Sequence, residues 1–242
     1  PANVKGIIYK NKDGSIVDTG CSTPIDNLDI LPFPSRDIYN HDLYEPLPSL
    51  SPKRPAMSMI TARGCPWARC KFCYQGGKYA SPFRRRSPEN VVSEIKDIIN
   101  KYHVKNIVFW DDNFCIYPEW ISQFCSLLKQ EKIKLDWSVL SRVNTVTKNM
   151  LQEMANAGCY SIQFGIESGN SDILKLIRKG HTLEQCRDAV RWAKDVGMET
   201  RAFFVLGFPT ETPEMSEETI RFACELNIDY VVFFSYYVAP GT

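Results

Sequence analysis

Along most of this chain, short runs of apolar residues alternate with segments in which apolar residues recur at helical spacing. Short apolar runs of the length of buried β-strands are predicted at residues 57–62, 106–110, 135–140, 160–166, 200–206 and 230–237. Between these runs apolar residues recur at helical spacing, as Val91, Ile95 and Ile98 do. Strand and helix therefore alternate six times from about residue 56, which is typical of parallel strands joined by right-handed crossover helices.

Capping residues predict where several of these helices begin and end. Ser87 and Thr212 precede helical patterns, and each is followed by proline at the first helical position. Thr182 and Gln185 have the spacing of a capping box. The helix that they begin is predicted to end at Gly197, because glycine readily adopts the left-handed conformation that ends helices.

The N-terminal part of the chain has a different pattern. Residues 4–9 are predicted as a short strand, followed by a turn at Asn11-Lys12-Asp13-Gly14 and a second short strand. A proline-rich segment then continues to Pro48, and the residue before each proline is biased away from helix. We expect residues 1–50 to form an extended connector that lies over a domain formed by residues 51–242.

Composition excludes several classes of protein. Lys and Arg (29) nearly balance Asp and Glu (28), so neither nucleic acid nor an anionic membrane surface is an expected partner. No apolar run approaches the roughly 18–20 residues that a membrane span needs. Most of the nine cysteines are scattered, and Cys125, Cys186 and Cys224 lie on apolar faces of predicted helices. This usage fits buried thiols in a reducing cytoplasm better than a disulfide framework.

Three of the cysteines lie in one short loop directly after the first predicted strand of the domain. Cys65, Cys70 and Cys73 are separated by four residues and then two, and the next Cys or His is His103. A structural zinc ion normally has four protein ligands, and iron–sulfur clusters in electron carriers are also closed by four cysteines. Three thiolates favour an iron–sulfur cluster with one iron open to a substrate or cofactor. A zinc knuckle and three unrelated thiols are the alternatives.

Polar residues follow the other predicted strands, where sites form in parallel α/β folds. With the glycines and prolines that accompany them, the residues at these strand ends are Asp111, Asp112, Asn113, Ser141, Arg142, Glu167, Ser168, Gly169, Gly207, Pro209, Thr210, Glu211, Tyr236, Tyr237 and Pro240-Gly241. A carboxylate at a strand end often caps the next helix, and a lone arginine often pairs with a neighbouring carboxylate. Structural roles therefore remain open for Asp111, Asp112, Arg142 and Glu211.

The cysteine loop resembles the cluster-binding signature of the radical S-adenosylmethionine (SAM) superfamily. The usual pattern there has three residues and then two between the cysteines, with an aromatic residue directly before the last one. Phe72 occupies the aromatic position, whereas the gap between Cys65 and Cys70 is one residue longer. The resemblance covers about residues 55–242. It implies an α/β fold with an open, partial (β/α)6 TIM-like barrel, although the alternation alone would also suit a doubly wound sheet.

Further segments narrow the resemblance to radical SAM proteins that commonly carry an N-terminal cobalamin-binding domain. They are Asp29-Ile30-Leu31-Pro32-Phe33-Pro34, Arg63-Gly64-Cys65-Pro66, Arg86-Ser87-Pro88-Glu89, Phe164-Gly165-Ile166-Glu167-Ser168-Gly169, Gly207-Phe208-Pro209 and Pro240-Gly241-Thr242. The sequence has no Asp-x-His-x-x-Gly motif of that domain. Residues 1–50 resemble the connector that follows the cobalamin-binding domain in these proteins. We therefore expect residues 1–50 to be the tail of such a domain, which would lie outside this sequence.

The resemblance implies a [4Fe–4S] cluster on Cys65, Cys70 and Cys73, with SAM bound to the fourth iron. An aspartate after the second strand takes the place of a Gly-Gly-Glu-like motif that holds the SAM amino group, and Arg142 is the candidate for the SAM carboxylate. The residues expected to contact SAM are Phe72, Asp111, Asp112, Arg142, Glu167, Ser168, Gly207 and Glu211.

The implied reaction is reductive cleavage of SAM to a 5′-deoxyadenosyl radical, which abstracts hydrogen from a substrate. Cobalamin-dependent methyl transfer is the favoured outcome. Ring formation, rearrangement and methylthio transfer are alternative reactions, and a non-catalytic iron–sulfur or zinc module is the alternative from a different class. The expected partners are a small-molecule substrate or biosynthetic intermediate and an electron donor such as flavodoxin or ferredoxin.

Overall fold

The structure, a computed structural model, describes residues 1–38, 40–44, 51, 53–77 and 80–238. Its strands are β1 (Ile8–Lys10), β2 (Ile16–Asp18), β3 (Ala56–Met59), β4 (Ala62–Arg63), β5 (Arg84–Arg85), β6 (Asn106–Phe109), β7 (Asp136–Ser141), β8 (Cys159–Glu167), β9 (Glu199–Leu206) and β10 (Tyr230–Ser235). Its α-helices are α1 (Pro88–Tyr102), α2 (Pro118–Gln130), α3 (Lys148–Asn156), α4 (Ser171–Leu176), α5 (Leu183–Asp195) and α6 (Pro213–Glu225).

One parallel sheet organises the domain. Its six strands lie in the spatial order β3, β6, β7, β8, β9 and β10, which is also their order along the chain. Because parallel crossovers share one hand, a sheet built in chain order carries its helices on one face. A doubly wound sheet instead reverses its strand order and carries helices on both faces. The structure therefore confirms the partial (β/α)6 barrel.

The hydrophobic core lies between the helices and the outer face of this sheet. Ile162, Phe164 and Ile166 of β8 belong to the core, whereas the alternating residues Ser161 and Gln163 face the other side of the strand. Five aromatic rings pack together where α2 meets the sheet: Phe109, Phe114, Trp120, Phe124 and Trp137. The inner face of the barrel is consequently more polar than the outer one.

The helix ends follow the predicted capping chemistry. The Ser87 hydroxyl accepts the N–H of Asn90 at 3.1 Å at the start of α1. Thr182 and Gln185 form the capping box of α5 in both directions. This helix ends at Asp195, two residues before Gly197, whose φ is +81°. Within the described part of the chain, every helix is too short or too polar to cross a bilayer.

Several strand limits differ from the prediction. The apolar run at 57–62 leaves the sheet after Met59, because the Asp111 carboxylate accepts the N–H of Thr61 at 2.9 Å and turns the chain. Strand β4 then pairs antiparallel with β5 outside the central sheet. Strand β10 ends at Ser235 instead of 237, and β1 begins at Ile8 instead of 4. Pro240-Gly241-Thr242 and the predicted end of the connector at Pro48 lie outside the described residues.

The segment before β3 is attached to the barrel by buried charges. The Glu94 carboxylate of α1 lies between Arg36 and Arg86, with one nitrogen–oxygen contact of 2.5 Å to each guanidinium. Asp29 accepts the backbone N–H of Ser87 at 2.9 Å. These contacts hold the proline-rich part of the chain against the first turns of α1.

Candidate metal and cofactor site

The cysteine loop, residues 60–77, lies at the carboxyl end of β3 and winds around Cys70. The N–H of Cys73 donates to the Cys70 carbonyl at 3.2 Å, and the N–H of Gly76 donates to the Cys73 carbonyl at 2.8 Å. A Cβ at Gly76 would lie 2.1 Å from the Cys70 carbonyl oxygen, and one at Gly64 would lie 2.5 Å from that of Ser81. Glycine is therefore required at both positions for the loop to close.

The three thiols of the loop are partly protected from water. Cys70 is buried, and Cys65 and Cys73 are half-buried. Burial raises the pKa of the Cys73 thiol, so a bound metal must displace its proton. Among the described side chains, no group of three or more His, Cys, Asp and Glu is placed to hold a single metal ion. The thiolates of a cubane each bind a different iron, so this soft donor set on one loop fits an iron–sulfur cluster.

The other cysteines lie outside this loop. Four of them are buried in the core: Cys115, Cys125, Cys159 and Cys186. Burial raises the pKa of the Cys115 thiol to about 11 and that of Cys125 to about 12, which keeps them protonated and unreactive. The prediction that Cys224 is buried was wrong, because Phe222 and Ala223 occupy the buried face of α6 and Cys224 faces solvent.

The cysteine loop is docked on the connection between α4 and α5, residues 177–182. The N–H of Lys71 donates to the Ile177 carbonyl at 3.0 Å, and the indole N–H of Trp67 donates to the Arg178 carbonyl at 2.9 Å. Gly180 allows the indole to approach, since a Cβ there would lie 2.0 Å from the Trp67 ring. The position of the thiols thus depends on a segment more than a hundred residues away in sequence.

Arg142, which follows β7, is buried between the cysteine loop and this connection. Its Nη1 donates to Cys70 Sγ at 3.7 Å, its Nε donates to Asn144 Oδ1 at 3.3 Å, and its Nη2 donates to the Lys179 carbonyl. The guanidinium carbon also lies 5.0 Å from the centre of the Trp67 ring. The structure therefore places a cation directly against one of the predicted cluster ligands.

Glu167 ends β8 and forms a buried ion pair that the sequence did not indicate. Its Oε1 lies 2.8 Å from Lys179 Nζ, and both side chains are about nine-tenths buried. Glu167 has a φ of +73°, which turns the carboxylate back over Gly165, where a Cβ would lie 2.7 Å from Oε1. Lys179 Nζ lies 5.9 Å from the centre of the Phe72 ring, so the pair borders the cysteine loop.

The two aspartates after β6 have different surroundings. Asp111 is buried, and its Oδ1 accepts the backbone N–H groups of Thr61 and Ala62, whereas its Oδ2 has no hydrogen-bond partner among the described residues. Burial raises the pKa of Asp111 to about 6. Asp112 is exposed and accepts a hydrogen bond from Gln75 of the cysteine loop at 2.8 Å. Asp111 therefore fixes where the loop begins, and Asp112 lies beside the loop.

The remaining predicted site residues are engaged within the protein. Glu211 Oε2 accepts the N–H of Gly207 at 2.7 Å and that of Phe208 at 2.8 Å, which shapes the turn between β9 and α6. The Ser168 hydroxyl is fully buried and lies 3.1 Å from the Thr219 hydroxyl. Both side chains hold backbone that borders the carboxyl end of the sheet.

An apolar surface lies beside the last cysteine. The Phe72 and Phe208 ring centres are 5.7 Å apart, and those of Phe208 and Tyr236 are 5.1 Å apart. Behind them packs a small buried cluster formed by Ile173, Leu174, Ile177 and Phe208. Such a surface suits a flat, weakly polar ring.

Trp67 and Lys179 are the two site residues that sequence reasoning missed. The signal for Trp67 was present, because a large aromatic residue inside a short loop marked by Gly64 and Pro66 needs a surface on which to pack. Lys179 gave no readable signal, since only the fold brings it next to Glu167.

The family of the chain follows from comparison with known proteins. The model of the Radical SAM superfamily matches residues 59–223, which include the cysteine loop and β6 to β9. The chain therefore belongs to the radical SAM superfamily. Membership implies a [4Fe–4S] cluster and SAM as cofactors.

Three similar proteins define its closer relationships. The chain is 35% identical over 239 residues to a protein of Pyrococcus horikoshii named uncharacterized methyltransferase PH0819, covering 99% of the chain and 50% of that protein. It is 32% identical over 228 residues to the anaerobic magnesium-protoporphyrin IX monomethyl ester cyclase of Rubrivivax gelatinosus, covering 93% of the chain and 40% of the cyclase. The solved structure of the cobalamin-dependent SAM radical enzyme OxsB, with aqua-cobalamin and SAM bound, matches with a TM-score of 0.74 and 26% identity, covering 91% of the chain and 32% of OxsB. The chain thus spans half or less of each of these proteins.

Proposed function

We propose that Cys65, Cys70 and Cys73 bind the [4Fe–4S] cluster and that the chain is the radical-forming part of a cobalamin-dependent methyltransferase. The observation that carries the proposal is the three-cysteine loop, which closes around Cys70 at the carboxyl end of the sheet. When bound, the cluster supplies the electron that cleaves SAM into methionine and a 5′-deoxyadenosyl radical.

The groups around the loop can bind each part of SAM. Asp112, which is exposed beside the loop, provides an acceptor for the amino group. Glu167 provides a carboxylate for the ribose hydroxyls, and its contact with Lys179 holds this carboxylate in place at the carboxyl end of β8. The apolar surface of Phe72 and Phe208 suits the adenine ring. Glu211, Ser168 and Asp111 act indirectly, because each accepts hydrogen bonds from the backbone that borders the site.

The relatives favour methyl transfer over other outcomes. The Pyrococcus relative is named a methyltransferase, and the OxsB structure contains both cobalamin and SAM. Ring formation is the second candidate, because the chain is also 32% identical to a cyclase over 93% of its length. We assign a small molecule as the substrate.

A one-electron carrier such as flavodoxin or ferredoxin is the proposed reductant. Arg69 and Lys71 lie within the cysteine loop and are exposed, and Arg178 is exposed on the segment against which the loop docks. Positive charge around a redox centre attracts acidic partners and accelerates their association.

Anaerobic reconstitution with iron and sulfide tests the proposed cluster ligands. The wild-type protein is expected to release 5′-deoxyadenosine from SAM under reduction. Cys70→Ala should abolish this release, and the matched variant Cys224→Ala, at an exposed cysteine outside the loop, should retain it. Continued cleavage by Cys70→Ala would refute the proposed cluster ligation.

The methyl-transfer part has a separate test with SAM and hydroxocobalamin as probes. SAM that donates its methyl group is converted to S-adenosylhomocysteine, whereas SAM that is reductively cleaved yields 5′-deoxyadenosine. Formation of S-adenosylhomocysteine that depends on added cobalamin supports methyl transfer. The test uses the chain joined to a cobalamin-binding domain, because that domain is expected to lie outside this sequence. Release of 5′-deoxyadenosine alone by that protein would contradict methyl transfer and favour the cyclase alternative.

A further inference from the structure

We propose that Arg142 raises the reduction potential of the cluster by donating a charge-bearing hydrogen bond to the sulfur of Cys70. This inference rests on the proposed function, because it requires Cys70 to be a cluster ligand. Arg142 is then a positioning residue that acts through Cys70. This role differs from holding the SAM carboxylate.

The contacts of the guanidinium carry the inference. Its Nη1 lies 3.7 Å from Cys70 Sγ, in a position where the arginine is only 5% exposed. Asn144 Oδ1 and the Lys179 carbonyl accept from the other two nitrogens. The Trp67 ring packs against the plane of the group. A guanidinium held at every nitrogen has little freedom to turn towards a diffusing ligand.

Other contacts hold both Arg142 and the loop that carries Cys70 in place. The N–H of Arg142 donates to Asn113 Oδ1 at 3.2 Å, which anchors the backbone at the end of β7. Trp67 belongs to the same loop as Cys70 and is itself held by the Arg178 carbonyl at 2.9 Å. The distance from the cation to the sulfur is therefore set by the fold.

The direction of the effect follows from charge. Reduction transfers one electron from the external donor to a site that its thiolates have already made negative. A nearby cation stabilises the reduced form more than the oxidised form, and hydrogen bonds to the sulfur act in the same direction. Because Arg142 is buried, solvent screens this interaction less than it would at the surface. Arg142 should make the cluster easier to reduce.

The test is a potentiometric titration of the reconstituted protein without SAM, followed by EPR. At a fixed applied potential, Arg142→Met is expected to lower the ratio of reduced to oxidised cluster roughly tenfold, which for one electron is ~59 mV. Arg142→Lys keeps the charge and should recover part of the ratio. The matched control is Arg201→Met, which removes another buried arginine whose partners are Glu199 and Tyr230, and it should leave the ratio unchanged.

The outcomes separate this inference from the proposed function. An unchanged midpoint in a cluster-loaded Arg142→Met protein would overturn the inference, and a weaker binding of SAM in that protein would instead assign Arg142 to the SAM carboxylate. A wild-type protein that assembles no cluster would refute the proposed function and leave no ligand for Arg142 to act through.

A second measurement covers the case in which Arg142→Met does not assemble a cluster. In wild-type protein labelled with ¹⁵N-arginine, the reduced cluster should show hyperfine coupling to an arginine nitrogen by pulsed EPR. The coupling should disappear in Arg142→Lys. A wild-type spectrum without arginine coupling would overturn the inference.

Discussion

Asp111 and Asp112 show how adjacent residues of one type take different roles. The buried Asp111 carboxylate accepts a backbone hydrogen bond from the chain just after β3, whereas the Asp112 carboxylate is exposed next to the cysteine loop. Sequence identifies two acids after a strand, but burial of each depends on side-chain direction, which alternates along the chain. Likewise, the sequence marked Arg142 as a functional candidate without indicating that it faces Cys70.

Asp111→Asn should flatten the pH dependence of stability between about pH 4 and pH 6. Burial raises the pKa of Asp111 from 3.8 to about 6. In this range the native state binds more protons than the unfolded state, so the free energy of unfolding falls as pH rises. The shift corresponds to about 3 kcal/mol. Urea unfolding of both proteins across this range provides the measurement, and equal slopes in the two would contradict it.

Lys179→Met should destabilise the fold by about 3–5 kcal/mol, because it leaves the buried Glu167 carboxylate without its partner. Adding Glu167→Gln to this variant should restore much of the loss. The control is Lys175→Met, which removes an exposed lysine 3.0 Å from Asp172 and should cost less than about 1 kcal/mol. Urea unfolding measures all three, and a similar cost for both lysine variants would show that the pair is not effectively buried.

At the scale of elements, the cysteine loop docks on the connection between α4 and α5. Only the local part of this arrangement could be predicted from the sequence. The capping box of Thr182 and Gln185 was predictable, because it depends on residues three apart. The contact between Trp67 and Gly180 was not, since it joins distant segments that only the barrel brings together. The exit of the chain after Met59 was missed for the same reason, because it is caused by Asp111, which follows the neighbouring strand β6.

Gly180→Ala should lower the iron content of the reconstituted protein, whereas Gly197→Ala, with a similar cost in stability, should not. Gly180 and Gly197 have φ values of +75° and +81°, so alanine at either position costs about 1–2 kcal/mol. Only at Gly180 would the new Cβ meet the Trp67 ring, at 2.0 Å, whereas nothing lies within 4 Å at Gly197. Iron content after reconstitution should fall several-fold in Gly180→Ala and stay near wild type in Gly197→Ala. Equal iron contents would argue against docking of the loop through Trp67.

At the scale of the whole molecule, buried charge joins the N-terminal segment to the barrel. The sequence predicted an extended connector that lies over the domain, and the division at residue 50 stays a prediction. The structure adds the attachment: Glu94 of α1 contacts Arg36 from the segment and Arg86, which lies two residues before the helix begins. No sequence pattern indicates this contact, because Arg36 is fifty or more residues from both Arg86 and Glu94 along the chain.

Glu94→Gln should loosen this attachment and destabilise the protein by about 3–5 kcal/mol, since two buried guanidinium groups lose their counter-charge. Limited trypsin digestion should then cut faster at Arg36. The control is Glu119→Gln at an exposed position of α2, which should change stability by no more than about 0.5 kcal/mol. Unchanged digestion of Glu94→Gln would show that other contacts hold the segment.

The central claim is that three thiolates hold an iron–sulfur cluster with one iron open to SAM. EPR of the anaerobically reconstituted, reduced protein before and after addition of SAM tests it most directly. We predict a brown protein whose cluster signal changes when SAM binds. A colourless protein with stoichiometric zinc, or a cluster signal that SAM leaves unaltered, would contradict the account.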